Sequence, residues 1–258
     1  MTQNRVVLIT GASSGIGYAT AIAFAKRGLN VVGTARDATR LQPLVEAIKP
    51  LPGRFLPVSA DVRSEADMNR AAQRAVEEFG RLDIVVANAG IGQRGPMADA
   101  EWADLDTLLR TNIDGIMLTA RASIPHLRHT GGGHLIFISS VVFNLVAPYA
   151  ATYAASKAFV SSLARSLRWE LKADRIRVSD IRVGRTETNF NANRLGAGMR
   201  KPSRLPEMTA EQVAEGIVRT ALDKPRDTVV LRWIDRLIIL GNRLFPNLIG
   251  QLAARQYK

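Results

Sequence analysis

Seven short runs rich in valine and isoleucine punctuate this chain, at 6–10, 31–35, 54–59, 82–87, 134–139, 176–181 and 228–231. Stretches with helical spacing of apolar residues lie between them, at 16–27, 65–79, 105–127, 153–171 and 210–222. Runs that are apolar almost without interruption suit strands buried on both faces. Their regular alternation with helices predicts an α/β fold: a doubly wound parallel sheet of about seven strands with helices on both faces. Gly28 reads as a helix stop, and Thr209 with Gln212 three residues later reads as a capping box. No second alternation, linker or composition break interrupts the 258 residues, so the expectation is a single domain over 1–258.

Composition narrows the function classes. The chain has no cysteine, which excludes disulfides, thiolate metal sites and a cysteine nucleophile and fits a cytoplasmic protein. The formal charge of +12, from 35 Lys+Arg against 23 Asp+Glu, raises nucleic acid, anionic membranes and acidic ligands as partners. The basic residues are dispersed, and no stacking aromatics interleave with them, so no nucleic acid is expected. The first strand begins so early that too few residues precede it for a signal peptide, and no apolar run is long enough to span a membrane.

Directly after the first run stands Thr10-Gly11-Ala12-Ser13-Ser14-Gly15-Ile16-Gly17. Glycines there let the backbone turn tightly and approach a pyrophosphate. A helix opening at 15–17 would offer the phosphates free N–H groups and the positive end of its dipole. With a strand before it and a helix after it, this loop points to a dinucleotide, held by Gly11, Ser13, Ser14, Gly15, Ile16 and Gly17. An acid at the end of the second strand would hold a ribose 2′-hydroxyl. This chain has Ala35-Arg36-Asp37 there, and a guanidinium suits a 2′-phosphate, so Arg36 points to NADP rather than NAD. The other reading leaves Arg36 in solvent and gives the ribose to Asp37.

Tyr153 and Lys157 are four residues apart on a predicted helix and so share one face. Phenols titrate near pKa 10; an ammonium nearby stabilises the phenolate and lowers that value. Such a pair could give a proton to a carbonyl oxygen or take one from an alcohol. The glycine loop, Asn88-Ala89-Gly90 after the fourth strand, Asn112 in a long helix, Ser140 after the fifth, and Tyr153-Ala-Ala-Ser-Lys157 thirteen residues later together resemble the short-chain dehydrogenase/reductase family. The resemblance spans about residues 5–232. It implies a Rossmann-type fold and a small-molecule ketone, aldehyde or secondary alcohol as substrate. In it Tyr153 is the general acid–base, Lys157 holds the nicotinamide ribose, Ser140 polarises the substrate oxygen and Asn112 holds a relay water. Asp61 and Val62 would meet the adenine, and Asn88, Ala89 and Gly90 would wall the cofactor. After the sixth strand the resemblance places cofactor contacts at Val183, Gly184, Thr186 and Thr188. There the family's usual Pro-Gly is replaced by Val183-Gly184, which leaves the loop path in doubt. A homodimer or homotetramer through the two long helices is also implied.

Three further segments bear on substrate and partners. The irregular stretch 185–207, within a substrate loop taken as 185–209, follows a strand's carboxyl end, where ligands bind in such sheets. Residues 141–146 are mostly apolar and follow Ser140, which suggests either an apolar substrate or simple core filling. The tail 233–258 is amphipathic, with Leu237, Leu244, Phe245, Leu248 and Leu252 among arginines and Pro246 expected to break it. It suits packing against a partner subunit or a peripheral membrane contact, and resembles lipid-contacting tails of some family members. His126 and His129 have no evident third ligand, so no metal is expected. Two rival functions remain open: reduction of a 3-oxoacyl group on an acidic carrier protein, and a catalytically idle NADP-binding sensor or scaffold.

Overall fold

The computed structural model describes residues 4–188, 190, 194–196 and 206–255. Seven parallel strands form one sheet: β1 (Val6–Thr10), β2 (Asn30–Ala35), β3 (Phe55–Ser59), β4 (Ile84–Ala87), β5 (Gly133–Ser140), β6 (Ile176–Val183) and β9 (Thr228–Val230). Their spatial order is β3-β2-β1-β4-β5-β6-β9. Two more strands of two residues each, β7 (Thr186–Glu187) and β8 (Met208–Thr209), pair in parallel beside it, in the stretch expected to be irregular.

Period-two alternation sends each strand's residues to two different cores. On one face Val6 and Leu8 of β1 join residues of α3 (Glu65–Phe79), α5 (Gly115–His129) and α6 (Ala151–Glu170). On the other, Val7 and Ile9 join α1 (Gly15–Lys26), α2 (Gln42–Ile48) and α7 (Ala210–Val218). Fully burying each Leu, Ile or Phe stabilises by about 1.5–3 kcal/mol, which is why these strands carry so few polar residues. The end strand β3 is less buried and accommodates Pro57, whose missing N–H an edge tolerates.

The helix expected over 105–127 is divided. α4 (Trp102–Leu109) runs into a π-helical turn at Arg110–Asp114 before α5 begins. Asn112 sits in the wide turn, fully buried, and its amide closes two bonds with the Ile91 backbone. Helix α2 was not anticipated, although Leu41, Leu44 and Ile48 bury one face and Pro43 lies in its first turn. The capping box at Thr209 and Gln212 forms as expected. In the tail, α8 (Trp233–Leu244) ends and α9 (Pro246–Arg255) starts at the proline, as its ring dictates. Parts of the expected substrate loop and of the tail, at 189, 191–193, 197–205 and 256–258, lie outside the described residues.

His134 on β5 is buried and shares a 2.8 Å hydrogen bond between Nε2 and Ser179 Oγ, whose own proton goes to the Arg226 carbonyl. Burial lowers its pKa to about 4, so the unfolded chain takes up this proton first as pH falls. Stability from the neutral imidazole is present above about pH 6.5 and lost towards pH 4. Urea unfolding at pH 7 and pH 4.5 should therefore differ by a contribution on the order of 2–3 kcal/mol, and His134→Gln should remove that share of the difference.

Candidate functional site

The strand order reverses direction beside β1, and a cavity of about 800 Å³ opens at the carboxyl ends of the strands. Gly11 and Gly15 line it with φ of +68° and +54°, the left-handed region that favours glycine. Ser13, Ser14 and Ile16 line it too. Gly17 does not: a Cβ there would fall 2.2 Å from the Gly11 carbonyl oxygen, so this glycine serves close packing of helix on loop. Ser14 makes no side-chain cap and the first turn of α1 has no acid, leaving its N–H groups and dipole available to phosphates. Asn88 fastens the loop by donating from Nδ2 to the Thr10 and Gly11 carbonyls, at 2.9 and 3.3 Å. Ala89 and Gly90 continue along the wall.

At the far end, Arg36, Arg40 and Arg63 line the cavity with Asp61 and Val62. Asp61 accepts a two-pronged bond from the Arg63 guanidinium, which holds its carboxyl below the usual range. Asp37 is turned away from the cavity by capping its own turn, accepting from Thr39 N and Oγ1 at 2.9 and 2.7 Å. The buried Thr34 Oγ1 has no partner among the described residues and lies on this wall. Free helix N–H groups, a basic end and an orphaned hydroxyl along one cleft fit a dinucleotide. Arg40 and Arg63 carry no motif of their own: Arg40 is brought to the cavity by the turn Ala38–Leu41 after β2, and Arg63 by the separate turn between β3 and α3.

Ser140, Tyr153 and Lys157 meet at the inner floor of the same cavity. Ser140 Oγ donates to the Val183 carbonyl at 3.2 Å. Its neighbour Ser139, which a one-residue shift in spacing would put forward instead, donates to the buried Asp180 carboxylate. Lys157 Nζ donates to the Ile138 carbonyl at 3.0 Å and lies 5.9 Å from the Tyr153 ring centroid. Burial pushes Tyr153 up to about 12, with the Ser140 side chain and the Arg94 charge opposing it. That direction is opposite to the lowering expected from the lysine, whose ammonium is directed at a carbonyl. Burial also brings Lys157 down to about 8, against the pull of Asp180. Asn112 does not line the cavity. It lies behind it, donating to the Ile91 carbonyl and to Ser156 Oγ at 2.9 and 3.1 Å.

From the end of β6 onward, Val183, Gly184, Thr186 and Thr188 all reach the cavity, Thr188 beside Gly15. The loop path left open by the missing proline is set from the tail. A Cβ on Gly184 would fall 2.1 Å from Asp235 Oδ2, and the buried Asp235 is locked to Arg232 by bonds of 2.8 and 2.6 Å. Of the stretch 141–146, Val141 and Val142 line the cavity, whereas Phe143, Leu145 and Val146 border a separate shallow recess against α6. Among the described residues, no group of three or more His, Asp and Glu is gathered to hold a metal.

The family model for short chain dehydrogenases matches residues 5–201. An uncharacterized oxidoreductase of Bacillus subtilis, YxnA, is 32% identical over 255 residues, 97% of this chain and 71% of its own length. Sulfoacetaldehyde reductase 2 of Chromohalobacter salexigens is 36% identical over 225 residues, 85% and 89% of the two chains. The structure of 3-ketoacyl-(acyl-carrier-protein) reductase from Brucella melitensis, complexed with NADH, superposes with a TM-score of 0.80 at 27% identity, covering 89% and 97%. This chain belongs to the short-chain dehydrogenase family, as an oxidoreductase acting between carbonyl and alcohol groups with a nicotinamide dinucleotide.

Proposed function

We propose that the chain is an NADP(H)-dependent carbonyl reductase or alcohol dehydrogenase, working as one domain with a substrate loop over 185–209. The observation that carries this reading is the meeting of Ser140, Tyr153 and Lys157 on the floor of the cleft that the glycine loop opens. The dinucleotide, when bound, supplies or accepts the hydride. Tyr153 Oη gives its proton to the carbonyl oxygen, and a phenol held near pKa 12 keeps that proton at neutral pH. Ser140 Oγ orients the same oxygen. Lys157 would hold the ribose hydroxyls and stabilise the phenolate that Tyr153 becomes, and Asn112 would hold a relay water through which the tyrosine regains its proton. Arg36 and Arg40 provide paired donors for a 2′-phosphate, which supports NADP over NAD. Reduction of a carrier-bound 3-oxoacyl group is the nearest alternative, and the presence of both tyrosine and lysine argues against an idle sensor.

The tail supports a further part of the reading. Trp233, Leu237, Leu240, Leu244, Leu248 and Leu252 are each at least 48% exposed, on helices that also present Arg236, Arg243 and Arg255. No helix among the described residues is long and apolar enough to cross a membrane. We infer that this stripe packs on a partner subunit or rests on an anionic membrane surface, and that a homodimer or homotetramer forms through the long helices α5 and α6, the second of which carries the exposed Trp169.

Three measurements follow. Tyr153→Phe should lose at least about a hundredfold in turnover with cofactor binding intact; retained turnover overturns the proton-transfer assignment. NADPH should bind at least about tenfold tighter than NADH, a difference of about 1.4 kcal/mol, and Arg36→Ala should erase most of that preference. Replacing Leu240 and Leu248 together by Asp should change either the sedimentation-derived oligomeric state or binding to phosphatidylglycerol vesicles; no change in either refutes the tail's docking role.

A further inference from the structure

The end of the cavity around Tyr153 is more basic than a reaction between carbonyl and alcohol requires. Arg94, Arg185 and Arg194 line it together with Lys157, and Glu207 is the acid that accompanies them. Asp61, the other acid among the described residues that line the cavity, stands at the opposite end against Arg63. The phosphate-binding features already described lie elsewhere, at the start of α1 and beside Arg36. None of these three guanidiniums belongs to those phosphate-binding features.

Their placement is built by the fold. Gln93 bridges Leu195, Arg94 N donates to the Leu195 carbonyl at 3.0 Å, and Leu195 N donates to the Gly92 carbonyl at 2.8 Å. This clip fastens the loop after β4 to the loop after β6 and carries Arg94 and Arg194 to one wall. A Cβ on Gly92 would lie 2.9 Å from the Phe190 ring and 3.4 Å from Arg194 Cβ, and Phe190 stands 5.9 Å from the Tyr153 ring. Arg94 is close enough for its charge to act on the Tyr153 phenol. Arg185 is held by Glu207, which accepts from Nε at 3.0 Å and Nη2 at 2.5 Å. Its Nη1 is buried with no partner among the described residues. A buried guanidinium N–H left unmatched is costly, and a carboxylate or sulfonate oxygen is the acceptor that matches it best.

We propose that the substrate is an anionic carbonyl compound, an aldehyde or ketone carrying an acid group that Arg185, Arg94 and Arg194 hold while Tyr153 protonates the carbonyl oxygen. This rests on the reductase reading above. It also departs from the apolar substrate suggested by residues 141–146, most of which face away from the cavity.

The test measures NADPH oxidation with acid and ester pairs: acetoacetate against methyl acetoacetate, 4-oxobutanoate and 4-oxopentanoate against their methyl esters, and an ω-oxo sulfonate against the sulfonamide. Acetoacetyl-pantetheine and neutral aldehydes and ketones complete the panel. At least a tenfold higher kcat/KM for an acid than for its neutral partner is expected, with the sulfonate arm showing which oxyanion is preferred. Arg185→Gln should narrow that ratio at least fivefold, chiefly through KM for the acid. Neutral partners, the thioester or simple carbonyls turned over as well as or better than the acids would overturn the proposal and leave the reductase reading standing. No turnover of any panel member, with NADPH bound, would instead bring down the reductase reading and this proposal with it.

Discussion

The cleft depends on how β1 and β4 are joined at their carboxyl ends. Strand order reverses there, so the connections leave in opposite directions and a crevice opens between them. Left alone, the crevice would expose the ends of buried strands and let the two loops drift. Thr10 prevents this: its Oγ1 accepts from the N–H groups of Asn88 and Ala89, both at 3.1 Å, while Asn88 Nδ2 donates back to the Thr10 carbonyl. Gly17 must be a glycine because this knot leaves no room for a Cβ. The shape of the phosphate cradle is thus a consequence of one buried polar cross-link, and everything that binds in the cleft is positioned relative to it.

The chemistry at the floor follows from burial. Lys157 is buried and Tyr153 half-buried on a helix that packs against β5 and β6, and the partial loss of water disfavours the charged form of each. Tyrosine keeps its proton and lysine holds its proton less tightly. Asp180, buried beneath with Ser139 and Arg182 as partners, supplies the negative charge that favours the ammonium. Arg182 in turn lies 3.8 Å over the Phe143 ring, so the carboxylate is fixed from both sides. The proton donor and its neighbours form one electrostatic unit anchored in the sheet rather than a pair of residues spaced along a helix.

Much of this was legible in the residues. Strands buried on both faces have little choice of side chain, so all seven runs of the main sheet could be found, and the glycine loop could be read because few other residues adopt its backbone. Ser140, Tyr153 and Lys157 followed from spacing and resemblance. What escaped detection depends on long-range contact. Arg94 and Arg194 come together through the Gln93 to Leu195 bridge, which has no local pattern. The widened turn at Asn112 goes with the bonds of its amide to the Ile91 backbone, 21 residues away in sequence but adjacent behind the cleft wall. Arg40 differs: the turn containing it leads into a buried face made by Leu41, Leu44 and Ile48, a local pattern that the residues do carry.

The tail shows how a segment can be both surface and scaffold. Its outer stripe is apolar and exposed, but its inner side holds the site. Asp235 presses on Gly184, Arg232 donates to the Pro206 carbonyl, and Asn242 both donates to the Asn144 carbonyl and accepts from Val146 N. Asp235 and Asn242 are buried, so lifting α8 away would strand a carboxylate and an amide and cost several polar contacts at once. A flexible anchor would not be tied down in this way. The same contacts replace the stiffness that a proline beside Gly184 would have given the loop. Whatever covers the outer stripe therefore meets a rigid helix whose opposite face bears directly on the walls around Tyr153.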